Sequence, residues 1–99
     1  MEGPKREISL ESPEAEGFVH DAIQGALKKI GGIEMIFNQE EAFGVDYKVW
    51  TEFFSEVFRI CREHNLTGYS GISMDKENHR VLGVTFLRQG EKILVPYSE

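Results

Sequence analysis

Apolar residues recur at helical spacing in the first two-thirds of the chain and at every second position in the last third. That change of period separates a helical part from a sheet part. In the first stretch, Ala15, Phe18, Val19, Ala22, Ile23, Ala26, Leu27 and Ile30 share one helical face. Ser12 suits the N-cap, Pro13 the first helical position, and Glu14 and Glu16 the positive end of the dipole. Lys28 and Lys29 suit the negative end, and Gly31-Gly32 stops the helix. Alanine fills the middle of the stripe, so this helix can lie close to its neighbour.

A second helix is expected over residues 47–64. Asp46 is its N-cap, and Val45 and Trp50 have the spacing of a hydrophobic staple. At about 100° per residue, Tyr47, Val49, Trp50, Phe53, Phe54, Val57, Phe58, Ile60 and Cys61 occupy roughly half the circumference. The other half is wholly polar. An arc of about 180° exceeds the roughly 100° that one core-facing stripe needs. The surplus must be covered by the first helix or by another chain.

Beyond Asn65 the alternation predicts strands over Tyr69 to Asp75, Arg80 to Leu87 and Lys92 to Tyr97, joined by short turns and therefore antiparallel. Ile72 and Met74, then Leu82, Val84 and Phe86, then Ile93, Val95 and Tyr97 are the expected core faces. Gly71 and Gly83 mark bulges or a close backbone approach, and Pro96 an edge strand or a strand end. Pro4 to Leu10 alternates weakly, as a short edge strand or a mobile tail would; Ile33 to Phe37 reads as a strand, and the ambiguous run Ala42 to Val45 as a second short strand or a loop. The expected fold is one α+β domain over residues 1–99. It has an antiparallel sheet of four to five strands, with two amphipathic helices packed mainly on one face, in the order β-α-β-α-β-β-β.

Charge narrows the range of partners. Of 11 basic and 17 acidic residues, giving a net charge of −6, residues 1–46 hold 4 and 10 and the remainder 7 of each. The whole excess lies in the first half. With no basic run, binding to nucleic acid is not expected. No apolar run reaches the roughly 18–20 residues that cross a bilayer, and the start of the chain lacks a signal-peptide pattern, so a cytoplasmic protein without membrane contact is expected.

Candidate chemistry is sparse. Cys61 and His64 sit three apart on one helix, as half a metal site or a thiol–imidazole pair would, but no second pair has ligand spacing. A buried thiol and a histidine at a helix C-terminus account for them. Glu34, Glu40, Glu41 and Asp46 form the densest acidic region, without a calcium-loop pattern. Gly68-Tyr69-Ser70-Gly71 lacks both the spacing and the helix that a nucleophile elbow requires. No catalytic residue, metal ligand or cofactor is assigned.

Aromatic clustering is the distinctive feature: seven of eleven aromatic residues fall between Phe37 and Phe58. Aromatic side chains dominate both cores and interaction hot spots. The leading expectation is a small acidic, non-enzymatic protein-interaction or regulatory module, homodimeric, that binds a protein partner. Its candidate contact residues are Phe43, Trp50, Phe54, Tyr69 and Tyr97. One alternative is a ligand-binding or catalytic pocket between the aromatic helix and the C-terminal strands, using Tyr69, Arg80, His79 and Cys61. The other is an acidic inhibitor, of viral type for instance, of a nucleic-acid-binding protein.

Overall fold

The computed structural model describes residues 8–38 and 45–98. Helix α1 spans Pro13–Ile30 and helix α2 Tyr47–Glu63; strands β1 (Tyr69–Asp75), β2 (Arg80–Arg88) and β3 (Glu91–Pro96) follow. The fold is α+β, with an antiparallel three-stranded sheet in the order β1-β2-β3.

Both helix starts follow from their caps. The Ser12 hydroxyl accepts a hydrogen bond from the Ala15 amide at 3.1 Å, and the Asp46 carboxylate accepts from the amides of Lys48 at 3.1 Å and Val49 at 3.3 Å. Helix α1 stops where Gly31 turns left-handed (φ 94°) and returns its amide to the Leu27 carbonyl. Glycine enters that region without the clash a Cβ would bring.

Ala15, Val19, Ala22, Ile23 and Ala26 are all buried on the inner face of α1. The small residues let the two helices meet closely: a Cβ built on Gly25 would lie 3.1 Å from Ile60 Cδ1. Helix α1 thus covers one flank of the wide arc on α2. At the border of that flank Lys29 (3.3 Å) and Arg59 (2.6 Å) both bind the Glu56 carboxylate. Phe53, Val57 and Cys61 are buried beneath α2 with Val84, Phe86 and Val95 of the sheet. Both helices therefore lie on one face of the sheet. Alternate residues Leu87 and Leu94 remain 49% and 47% exposed on the other.

The sheet departs from simple alternation at two places. Ser73 pairs with Gly83 but Met74 with Val81, so Leu82 has no opposite number. This extra residue in β2 shifts the alternation by one. Val81 points inward at 4% exposure and Leu82 outward at 39%, which corrects Leu82 as a core position. Gly83 beside it is a close backbone approach, as expected. A Cβ there would run into the Val95 carbonyl oxygen and lie 2.9 Å from Leu94 Cδ1. In β1, Tyr69 pairs with Phe86 and Gly71 with Thr85, so Ser70 is the extra residue. The β2–β3 turn places Gln89 and Gly90 at φ 51° and 83°. Two consecutive positive values form the tight hairpin turn whose twist matches the strands. Pro96 ends β3, which is an edge strand.

The expected fourth and fifth strands need correction. Ile33–Met35 is a short 3-10 helix, and the following Ile36 and Phe37 are buried. Gly31 and Gly32, both at positive φ, turn this run back, and the Ile36 carbonyl accepts from the Asp46 amide instead of from a strand. A short apolar run is read equally well as a strand or as a buried irregular segment. Of Pro4 to Leu10, residues 4–7 lie outside the described residues. Ile8 to Leu10 forms no strand: the Ser9 carbonyl accepts from Ser12, and Leu10 is buried. Of Ala42 to Val45, residues 42–44 lie outside the described residues, and Val45 is a bend before the Asp46 cap.

The tight glycine of β2 can be separated from an ordinary one by urea unfolding. Gly83→Ala should lower stability by roughly 1–3 kcal/mol, because the β3 backbone must move. Gly17→Ala, inside α1 with nothing within 4 Å of the added Cβ, should raise it by about 0.5–1 kcal/mol. The helix-to-helix ion cluster predicts an acid dependence. Hydrogen bonding to Arg59, with help from Lys29, holds the Glu56 carboxyl down at about 2, against an ordinary 4.5. Its contribution is complete above about 4.5 and is lost as the pH falls toward about 2. Glu56→Gln should therefore be less stable than wild type at neutral pH, with the gap closing across that window.

Candidate functional site

Trp50, Phe54 and Phe58 stand one helical turn apart on α2, on the flank that α1 leaves uncovered. Their rings form a chain of contacts: Trp50 to Phe54 at 5.6 Å between centroids, then Phe54 to Phe58, edge to face, at 4.2 Å. Phe58 then stacks on Tyr69 of β1 at 3.7 Å and 16°. The ladder runs from the start of the helix onto the sheet. Phe58 is buried, whereas Trp50, Phe54 and Tyr69 are only partly buried against the core. Phe53 meets Trp50 from the core side at 5.8 Å.

The bulge in β1 makes this bridge possible. Gly71 and Ser73 face away from the helices, and simple alternation would put Tyr69 on that outer face too. The extra residue, Ser70, reverses the parity and turns Tyr69 inward onto Phe58. Ile72 and Met74 continue the apolar surface along β1. With Phe37, Val45 and Trp50 they border an open cavity of about 330 Å³, which Tyr47 and Lys76 also line.

Three of the five candidate contact residues, Trp50, Phe54 and Tyr69, are thus brought into one ladder. Phe43 lies outside the described residues. Tyr97 is elsewhere: it is buried against α1, where its hydroxyl accepts from Gln24 Nε2 and its ring lies 5.6 Å from that of His20. Phe58, the rung that joins helix to strand, was missing from the candidates. Its spacing of four from Phe54 and eight from Trp50 is the signal that marks it.

The polar groups proposed for a pocket do not converge. Cys61 is fully buried, and burial pushes its thiol up to about 12, far from a reactive thiolate. His64 caps α2 and stacks on Phe18 at 4.3 Å and 7°. Cys61 and His64 therefore serve packing and capping. His79 Nδ1 contacts both Glu34 carboxylate oxygens, at 2.9 and 3.0 Å, and its ring stacks on Phe37 at 4.4 Å. This fastens the 3-10 segment to the β1–β2 turn. Arg80 donates to Asp75 at 3.1 Å. The Asp75 carboxyl is held below its usual range, chiefly by hydrogen bonds from Asn78 and then by Arg80. His79 and Arg80 do border one open polar cavity with Tyr97, but Tyr69 and Cys61 are not part of it. Among the described residues no cluster of three or more histidine, cysteine or carboxylate side chains is placed to hold a metal ion, and no helix is long and apolar enough to cross a membrane.

Cys61 supplies a direct probe of this geometry. A thiol-specific chromogenic reagent at mildly alkaline pH should leave the native protein unlabelled and modify one thiol per chain once denaturant is added; rapid labelling of the native state would contradict a sealed core. Comparison of the chain with protein-family models, curated proteins and solved structures finds no match.

Proposed function

We propose that this protein is a small acidic, non-enzymatic interaction or regulatory module that works as a homodimer in the cytoplasm, with the α2–β1 aromatic face as its contact surface. The observation that carries the reading is the partly buried ladder of Trp50, Phe54 and Tyr69 on the flank that α1 leaves open. Rigid aromatic side chains bury large areas at small entropic cost, which is why they anchor interfaces. The side chains best suited to catalysis support the reading from the other direction. Cys61, His64 and His79 are each committed to packing, capping or a structural hydrogen bond. The single cysteine is free and buried, which suits a reducing compartment.

Light scattering at micromolar concentrations should give a dimer for the wild type. Phe54→Glu should give a monomer of unchanged helical content by circular dichroism, because a charge on the ladder cannot be buried without a partner. The single tryptophan, Trp50, should shift its emission to longer wavelength on dilution. A wild-type protein that stays monomeric throughout that range would overturn the reading.

A further inference from the structure

The two edges of the sheet are unequal. Edge strands are commonly protected from pairing by charge, proline or bulges. Strand β3 carries Glu91, Lys92 and Pro96. Strand β1 carries no lysine and no proline, and after the bulge at Ser70 it runs regularly through Gly71, Ile72, Ser73 and Met74 to a single charge, Asp75, which Arg80 neutralises. Among the described residues β1 has a neighbour on one side only.

The surroundings of β1 indicate what sits on its open side. On the helical wheel of α2, Thr51, Ser55 and Arg62 border the ladder. The carboxylates Glu52, Glu56 and Glu63 lie around the far side, and Arg59 binds the last two. In a chain of net charge −6, the described side chains that form the helix-side surface along β1, namely Trp50, Phe54, Tyr69, Ile72 and Met74, are all uncharged. A basic partner would find little to bind there. A second copy brings the same uncharged side chains to meet them.

Resting on the homodimer reading above, we propose that two copies join edge to edge through β1, antiparallel about a two-fold axis at Ser73, to make one continuous six-stranded sheet with all four helices on the same face. In that register Ile72 lies opposite the partner's Met74 and the reverse, on the helix side, where the two ladders face each other across the axis. On the outer side Ser73 meets its own copy, and Asp75 meets the partner's Gly71, which has no side chain to obstruct it. The register keeps the bulged residue Ser70 out of the paired segment. Moving the axis to Asp75 would set two carboxylates against each other. An isologous contact of this kind closes on itself and stops at two copies.

Disulfide trapping tests the register. Directly opposed residues in an antiparallel pair have Cα atoms about 4.5–5.5 Å apart, within the roughly 4.4–6.8 Å that a disulfide spans. Ser73→Cys should therefore form a covalent dimer under mild oxidation, while Leu94→Cys, on the outer face of β3, should not. Buried Cys61 should stay out of the reaction in both. Hydrogen exchange on the wild type is the second measurement: amides of residues 71–75 should exchange more slowly as protein concentration rises. A light-scattering dimer in which residue 73 does not cross-link and the β1 amides gain no protection would sink the strand pairing and leave the homodimer standing. A monomer by scattering would remove both.

Discussion

Burial of the apolar half of α2 is the constraint from which the rest of the structure follows. A helix whose greasy surface covers about half its girth needs more than one neighbour. Here it has two strong ones. The small-residue face of α1 closes against Ile60, and the inner face of the sheet closes over Phe53, Val57 and Cys61. Together they cover the flank that carries Trp50 and Phe54 only in part. The same constraint explains why the core is complete at its centre, with no buried side-chain polar atom left without a partner among the described residues, and yet leaves one seam half open.

The polar groups act around that core rather than within it. The polar pairs described lie at the periphery. Lys29 and Glu56 tie the helices together, His79 and Glu34 fasten the 3-10 segment to the hairpin, and Asp75 and Arg80 close the base of that hairpin. Exposed pairs of this sort contribute little each. The His79–Glu34 contact has the further value of fixing the direction of an irregular segment that has no sheet or helix ladder to hold it.

Much of this was legible in the sequence, and the reason is local. Ser12, Pro13, Gly31 and Asp46 act through their own backbone neighbours, so their positions alone mark the helix ends to within a residue. The hairpins were legible for the same reason, since Gln89 and Gly90 declare a turn without reference to anything distant. Ile33 to Phe37 was misread because its conformation is decided by the Asp46 amide, ten residues away from Ile36. Leu82 was misread because a bulge is a property of two strands together: the residue that Met74 selects as its partner cannot be seen in β2 alone. For the aromatic surface, the clustering was visible but its division was not. Nothing in the spacing says that Phe58 would find Tyr69, or that Tyr97 would settle against Gln24 on the other helix.

The paired irregularities of β1 and β2 have a consequence for how this chain can change. Leu82 displaces the strands by one step and Ser70, on the opposite strand, takes the step back, so both ends of the ladder keep a common offset. The two insertions compensate like frameshifts of opposite sign. Flattening either bulge while its residue stays would leave the hairpin zipped but rotate one end of it inside out, exposing Tyr69 or Val81. Excising Ser70 or Leu82 outright would instead leave a plain alternation in which Tyr69 and Val81 still point inward. This hairpin therefore tolerates a shortened strand better than a straightened one.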